Sequence, residues 1–129
     1  MLALERLRGL RVVADPAALD AARWDGDPAE PVVLRFAPDD AFGLGARAVK
    51  VDDEHAIMEP EVGFVGAWLS PAALDDVLSR TEWPLPAARP ALAQGLIAGV
   101  PAKLWLPTEG DALLLTAAAH ADELGMRLR

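Results

Sequence analysis

Short branched apolar runs alternate with amphipathic segments along the chain, and Pro, Gly and Asp punctuate the joins. Leu10-Arg-Val-Val-Ala14 predicts a strand. Asp15-Pro16 then sets a capping acceptor before a proline whose missing N–H costs nothing at the first helical position, so a helix is expected from Pro16 to about Trp24. Asp25-Gly26-Asp27-Pro28 breaks it. Pro31 to Ala37 is a second β-rich run, closed by Pro38-Asp39-Asp40, and Arg47 to Val51 reads as another short strand. Glu61 to Leu69 predicts a mostly buried strand, and Ser70-Pro71 repeats the cap-then-proline device before a helix over Ala72 to Arg80. In that helix Ala73, Leu74, Val77 and Leu78 share one face, with Asp75, Asp76 and Ser79 opposite.

Three prolines between Pro84 and Pro90 forbid both helix and interior strand, leaving Thr81 to Pro90 as a stiff crossing segment. Leu92 to Leu106 carries Gly95, Gly99 and Pro101; it is either one bent strand or two strands meeting at Gly99 and Pro101. Pro107-Thr-Glu-Gly110 reads as a hairpin turn into a partner strand, Asp111 to Thr116. A last helix is expected over Ala117 to Leu124, capped by Thr116 and ended by Gly125. The expected core comprises Val12, Leu19, Leu34, Phe36, Val62, Phe64, Trp68, Leu74, Val77, Leu78, Leu96, Leu104, Leu106, Leu114 and Leu124. Together these elements predict an α+β fold: a mostly antiparallel, twisted sheet with two or three helices packed on one face, ferredoxin-like in kind. A length of 129 residues suits a single domain. Pro16-Ala-Ala-Leu-Asp20 recurs as Pro71-Ala-Ala-Leu-Asp75, which reads either as two related halves, about 10–56 and 57–129, or as one good helix start used twice.

Charge changes the picture more than composition does. Twenty acidic residues against twelve basic ones give a formal charge of -8, a sign that repels phosphate backbones, so nucleic acid is not expected as a partner. All of that excess lies between Asp15 and Glu61, where twelve acids face four basic residues; the remainder is balanced. No stretch is apolar enough to span a bilayer and the N-terminus lacks a secretory pattern, so no membrane association and a cytoplasmic location are expected.

Cysteine is absent, which removes disulfides, thiolate metal sites and cysteine nucleophiles together. Gly43-Leu-Gly-Ala-Arg-Ala48 fits the letters of a dinucleotide fingerprint, but strand-like Val49-Lys-Val51 follows where that motif needs a helix. Asp52-Asp-Glu-His55 matches no calcium loop and is read as a solvated acidic turn, with no metal expected. The serines Ser70 and Ser79 have no partner resembling a nucleophile elbow, and the neighbours Asp39-Asp40 and Asp75-Asp76 diverge, so no catalytic residues are assigned. No cofactor is assigned either. Of four tryptophans, Trp68 and Trp105 lie in the most apolar predicted strands, whereas Trp83, beside Arg89, is either an exposed anchor or a lid over the sheet.

From Glu59 onward the order is strand, helix, proline-containing crossing, the run Ala93-Gln-Gly-Leu-Ile-Ala-Gly-Val-Pro-Ala-Lys-Leu-Trp-Leu106, an acidic turn, Asp111-Ala-Leu-Leu-Leu-Thr116 and an Ala-rich helix. That succession resembles the second part of the folate-binding module of glycine-cleavage T-proteins and the gamma subunit of heterotetrameric sarcosine oxidase, with Gln94-Gly95 and Leu113 to Thr116 in the matching places. No catalytic residue of the T-protein carries over. The resemblance implies a subunit or accessory module. The leading expectation is therefore a non-catalytic accessory or interaction domain, with a protein partner or self-association through Trp83, Lys103 and Trp105. The alternative is a small-ligand module, folate-like or anionic, in which Arg89, Gln94 and Lys103 hold an anionic group beside a strand whose glycines admit close backbone approach.

Overall fold

A computed structural model describes residues 2–26 and 29–129; Asp27 and Pro28 of the expected helix break lie outside the described residues. The chain forms two compact units, one of Leu7–Val62 and one of Met1–Arg6 with Gly63–Arg129.

In the Leu7–Val62 unit, β1 (Glu5–Val13), β3 (Val32–Ala37) and β4 (Asp40–Leu44) are antiparallel neighbours, with β4 in the middle. β2 (Arg23–Gly26) and β5 (Ala46–Lys50) form a separate two-stranded ribbon. The first helix, α1 (Pro16–Asp20), begins where expected, with the Asp15 carboxylate accepting from the Ala18 N–H, but it stops four residues short of Trp24. Arg23-Trp24 instead joins the β2–β5 ribbon, where Trp24 pairs with Val49 and packs beside Val12, Leu19 and Ala41. Tertiary pairing overrides helical propensity there. The sequence pattern does not mark β4, because its Gly43 and the acidic start at Asp40 lower strand propensity. Gly43 is needed because a Cβ at that position would collide with the Trp24 ring, and Gly45 makes the following corner at φ +82°. The glycines of the fingerprint-like stretch thus serve a strand and a turn.

The Gly63–Arg129 unit is built on four strands in the order β6 (Ile57–Leu69), β9 (Ala112–Ala117), β8 (Val100–Leu106), β7 (Ala91–Ile97), all antiparallel to their neighbours. α2 (Pro71–Leu78) follows β6, and β7, β8 and β9 return as a meander. A turn of 3₁₀ helix (Ala118–His120) and α3 (Ala121–Arg127) follow. Strand alternation sends Ala93, Ile97, Ala102, Leu104, Leu106, Ala112 and Leu114 to one face, where Val77 of α2 and Leu124 of α3 cover them. Each fully buried Leu contributes about 1.5–3 kcal/mol of transfer free energy.

The coarse class is as expected, a mostly antiparallel α+β fold. Within this unit, however, the succession is strand, helix, three strands, helix, which differs from the strand-helix-strand-strand-helix-strand order of a ferredoxin-like unit. Other local expectations need correction. Thr116 is a strand residue whose hydroxyl donates to the Pro101 carbonyl at 2.7 Å rather than capping a helix. Gly125 lies inside α3, which runs on to Arg127. Val62, Trp68 and Leu96, expected in the core, are exposed, while Phe42, Ile97, Leu69, Leu113 and Leu115 are fully buried. Alternation explains the exposure of Trp68 and Leu96: with Ala93, Ile97 and Leu69 facing the helices, both must face the other way.

Candidate functional site

The face of the four-stranded sheet opposite the helices carries most of the residues singled out from the sequence. On β8, the alternation that buries Ala102, Leu104 and Leu106 turns Pro101, Lys103 and Trp105 outward. On β7, Leu92, Gln94 and Leu96 stand directly across from Trp105, Lys103 and Pro101 in the register. On β6, Trp68 pairs with Leu113, which also neighbours Trp105 on β8. Trp68 and Trp105 meet edge to face, with centroids 6.1 Å apart and planes at 86°, an arrangement favoured by the indole quadrupoles. Trp68 keeps 49% of its surface exposed.

Next to the tryptophans, the Lys103 ammonium donates to the Gln94 side-chain carbonyl at 2.9 Å. These two residues border a groove of 440 Å³ whose walls include Phe64, Leu96, Pro101 and His120, with the backbone of Gly95 and Ala102 also reaching it. No Asp or Glu among the described residues lines the groove.

Arg89 is not brought to that groove. Its guanidinium is folded back onto the carbonyls of Pro86 and Ala88, and it borders a smaller hollow of 120 Å³ with Leu74, Leu106 and Pro107. The trio Arg89, Gln94 and Lys103 therefore divides: Gln94 and Lys103 are a bonded pair, and Arg89 stands apart.

Trp83 takes the lid position. It is half-buried on the helix side of the sheet, its ring lies flush against Gly95, and its indole N–H donates to the Leu96 carbonyl at 2.7 Å. A Cβ at Gly95 would stand 2.7 Å from the Trp83 ring, so the glycine is what admits the indole. β7 is an end strand, and this hydrogen bond satisfies one of its outward carbonyls. A sequence reading that seeks exposed anchors finds Trp83 and misses Trp68, because both neighbourhoods are apolar and only the strand register separates the two faces.

Several acids of the Asp15–Glu61 stretch are engaged in structure. Arg11 binds Asp40 through two nitrogens, at 2.5 and 2.7 Å, reaches Glu61 at 2.9 Å, and lies over the Phe36 ring at 4.9 Å. Asp40, then Glu61, hold the Arg11 guanidinium above its usual pKa against a modest desolvation. Asp53 accepts from the backbone N–H of Asp15 at 2.8 Å and of His55 at 2.9 Å, and these bonds hold its carboxyl below the ordinary carboxylate value. His55 and Glu54 are both exposed, and no group of three His, Asp or Glu among the described residues is close enough to hold a metal. The two serine hydroxyls are engaged on α2, Ser70 accepting from Ala73 N–H at 3.2 Å and Ser79 donating to the Asp76 carbonyl at 2.6 Å. No helix among the described residues is long and apolar enough to cross a membrane.

The chain has an α+β fold built on antiparallel strands, with Trp83 as a lid over Gly95 and Trp68 packed on Trp105 at the opposite face of the four-stranded sheet. No protein-family model and no curated protein matches the sequence. Among solved structures, the chain resembles a chain of the heterotetrameric sarcosine oxidase from Corynebacterium sp. U-96, determined in complex with pyrrole 2-carboxylate: the TM-score is 0.71 at 15% identity, over 99% of this chain and 80% of that one. The resemblance is one of fold.

Proposed function

We propose that this chain is a non-catalytic accessory subunit of a larger cytoplasmic enzyme complex, docking through the outward sheet face that carries Trp105, Lys103 and Trp68. The observation that carries the reading is the fold likeness, across nearly its whole length, to a chain of a four-subunit enzyme. Exposed Trp68, packed edge to face on half-buried Trp105, supports it, since rigid aromatic anchors dominate association energetics and a large exposed indole is unfavourable on a free surface. Of the interaction residues read from the sequence, Trp105 and Lys103 belong to this face; Trp83 supports it indirectly by fixing β7.

Tagging the protein at its own locus and weighing the purified assembly by native mass spectrometry tests the proposal. A larger partner at fixed stoichiometry is expected, and Trp68→Ala with Trp105→Ala should release this chain while its circular dichroism is unchanged. A chain that purifies alone and monodisperse overturns the reading.

A further inference from the structure

We propose that the last helix is a latch: α3, the β7–β8 turn and the Thr81–Pro90 strap that carries Trp83 open and close as one unit, locked by a ring of three hydrogen bonds through Arg127. This goes beyond the subunit reading and does not depend on it, because every residue of the ring belongs to one unit of the chain.

The ring forms where three elements end. α2 stops at Leu78, and the carbonyl of Arg80, just beyond it, accepts from the Ala98 N–H at 3.1 Å. Ala98 sits at the tip of the β7–β8 hairpin, and its own carbonyl accepts from Arg127 Nη1 at 3.0 Å. The Arg127 carbonyl, in the last turn of α3, accepts from Arg80 Nη1 at 2.6 Å. Each residue therefore donates to the next, Arg80 to Arg127, Arg127 to Ala98, and Ala98 back to Arg80. Carbonyls at the end of a helix have no partner within it. Here they find one in a neighbouring element, so parting any one element from the other two breaks two of the three bonds.

Local geometry supports the lock. Gly99 has φ of +81°, and a Cβ there would stand 2.7 Å from Arg127 Nη1, so the same glycine makes the turn and admits the guanidinium. Glu123, one helical turn earlier, holds Arg127 Nη2 at 2.7 Å and steadies the side chain from the other side. The strap leaves directly from Arg80 and is tied twice to the same end of β7: at Arg80 by the Ala98 N–H, and at Trp83 by the Leu96 carbonyl at 2.7 Å. Beneath the ring, Leu124 and Leu128 bury in one cluster with Val77, Ile97 and Val100. α3 has seven residues, and helices shorter than about 12–15 residues are marginal alone, so undocking and unwinding are one event.

Hydrogen exchange on the full chain, followed proton by proton by NMR, tests the latch. The Ala98 N–H reports the turn, the Trp83 indole N–H the strap, and the Leu128 N–H, bonded to the Leu124 carbonyl at 3.0 Å, the helix. One latch gives one opening equilibrium: the three protection factors should agree within about fivefold and lie at least about tenfold below those of Leu114 and Leu115 on central β9. Arg127→Ala should lower all three by at least about tenfold with the β9 amides unchanged, and Arg80→Ala should do the same. The double variant should match the stronger single change within about threefold, because a ring already open is not opened again. Glu123→Gln leaves the ring whole and should move the Ala98 and Trp83 protons less than about threefold. Loss of protection confined to Leu128, an equal loss on β9, multiplied effects in the double variant, or disagreement beyond fivefold among the three protons of the unsubstituted chain would each overturn the latch. If an Ala variant fails to fold, the three protons of the unsubstituted chain decide the matter. The subunit reading is decided separately, by the mass of the native assembly.

Discussion

The contact between Trp83 and Gly95 yields a prediction with a definite magnitude. Replacing Gly95 with Ala puts a methyl group 2.7 Å from Cε2 of the indole and 2.9 Å from Cζ2 and Nε1, distances that real Cβ atoms do not adopt, so the ring must move. Overpacking of this kind costs about 1–3 kcal/mol. Moving the ring also breaks the 2.7 Å bond from Nε1 to the Leu96 carbonyl, worth about 1 kcal/mol. Against this stands the small gain from replacing a strand glycine, about 0.5–1 kcal/mol. The expected net loss for Gly95→Ala is about 2 kcal/mol. Trp83→Ala, which strips a half-buried ring from the strand, should cost about 2–3 kcal/mol.

The double variant is the sharper test. Once the indole is gone the methyl group has nothing to strike, so Gly95→Ala in the Trp83→Ala background should be neutral or stabilising by up to about 1 kcal/mol. The cycle therefore predicts a coupling of about 2 kcal/mol, read from urea denaturation midpoints at unchanged slope. Additive effects of the two substitutions would show that the ring does not rest on Gly95, and the lid assignment would fail with it.

Ser70→Ala should destabilise by about 0.5–2 kcal/mol through loss of the cap to Ala73 N–H, and an unchanged denaturant midpoint would count against the cap. Ala98 and Gly99 form the two-residue β7–β8 turn with φ of 50° and 81°, so Ala98→Asn should stabilise by about 0.5–1 kcal/mol and raise the melting temperature by a few degrees; a fall would refute the turn assignment. Asp53 is held below its ordinary pKa of 3.8, so its charged form contributes stability above that pH which is lost as the pH falls below it through the folded value; Asp53→Asn should flatten the acid limb of the stability curve, and an unaltered limb would remove Asp53 from it. Calcium, zinc or magnesium at modest excess should leave the melting temperature unchanged if Asp52 to His55 is only a solvated turn, whereas a saturable rise abolished by His55→Ala would establish a site there.

Those expectations rest on features of unequal legibility. The helix starts at Asp15-Pro16 and Ser70-Pro71 could be read because a cap and a first-turn proline act within four residues, and the structure contains both bonds. The β7–β8 and β8–β9 turns were marked by Gly99, Pro101 and Gly110 for the same reason. Legibility ended where a residue's state depends on a distant partner. Trp24 leaves a helical pattern because Val49, twenty-five residues on, offers a strand edge. Asp40 reads as a turn acid, yet it opens β4 and holds Arg11, so neutralising it would unbalance the fold rather than probe an interface.

The site shows the same boundary at the level of single side chains. In a continuous apolar run such as Leu113-Leu-Leu-Thr116 hydrophobicity has no period, and neither face is marked. On β6 and β7 Gly66 and Gly95 break the period, so the pattern places Trp68 and Leu96 in the core although the register turns them outward. One residue of slip exchanges a buried indole for an exposed one, and it does so for every neighbour on the strand at once. Lys103 escaped this ambiguity because a charge on a buried strand can face only outward, and through the pairing it carried Gln94 with it. Arg89 had no such constraint: on a segment with no ladder partner its guanidinium is free to satisfy nearby carbonyls, and it did so at Pro86 and Ala88. A charged residue inside a strand is thus a stronger sign of a surface site than one in a proline-rich loop, and the distinction follows from hydrogen-bond bookkeeping along the backbone.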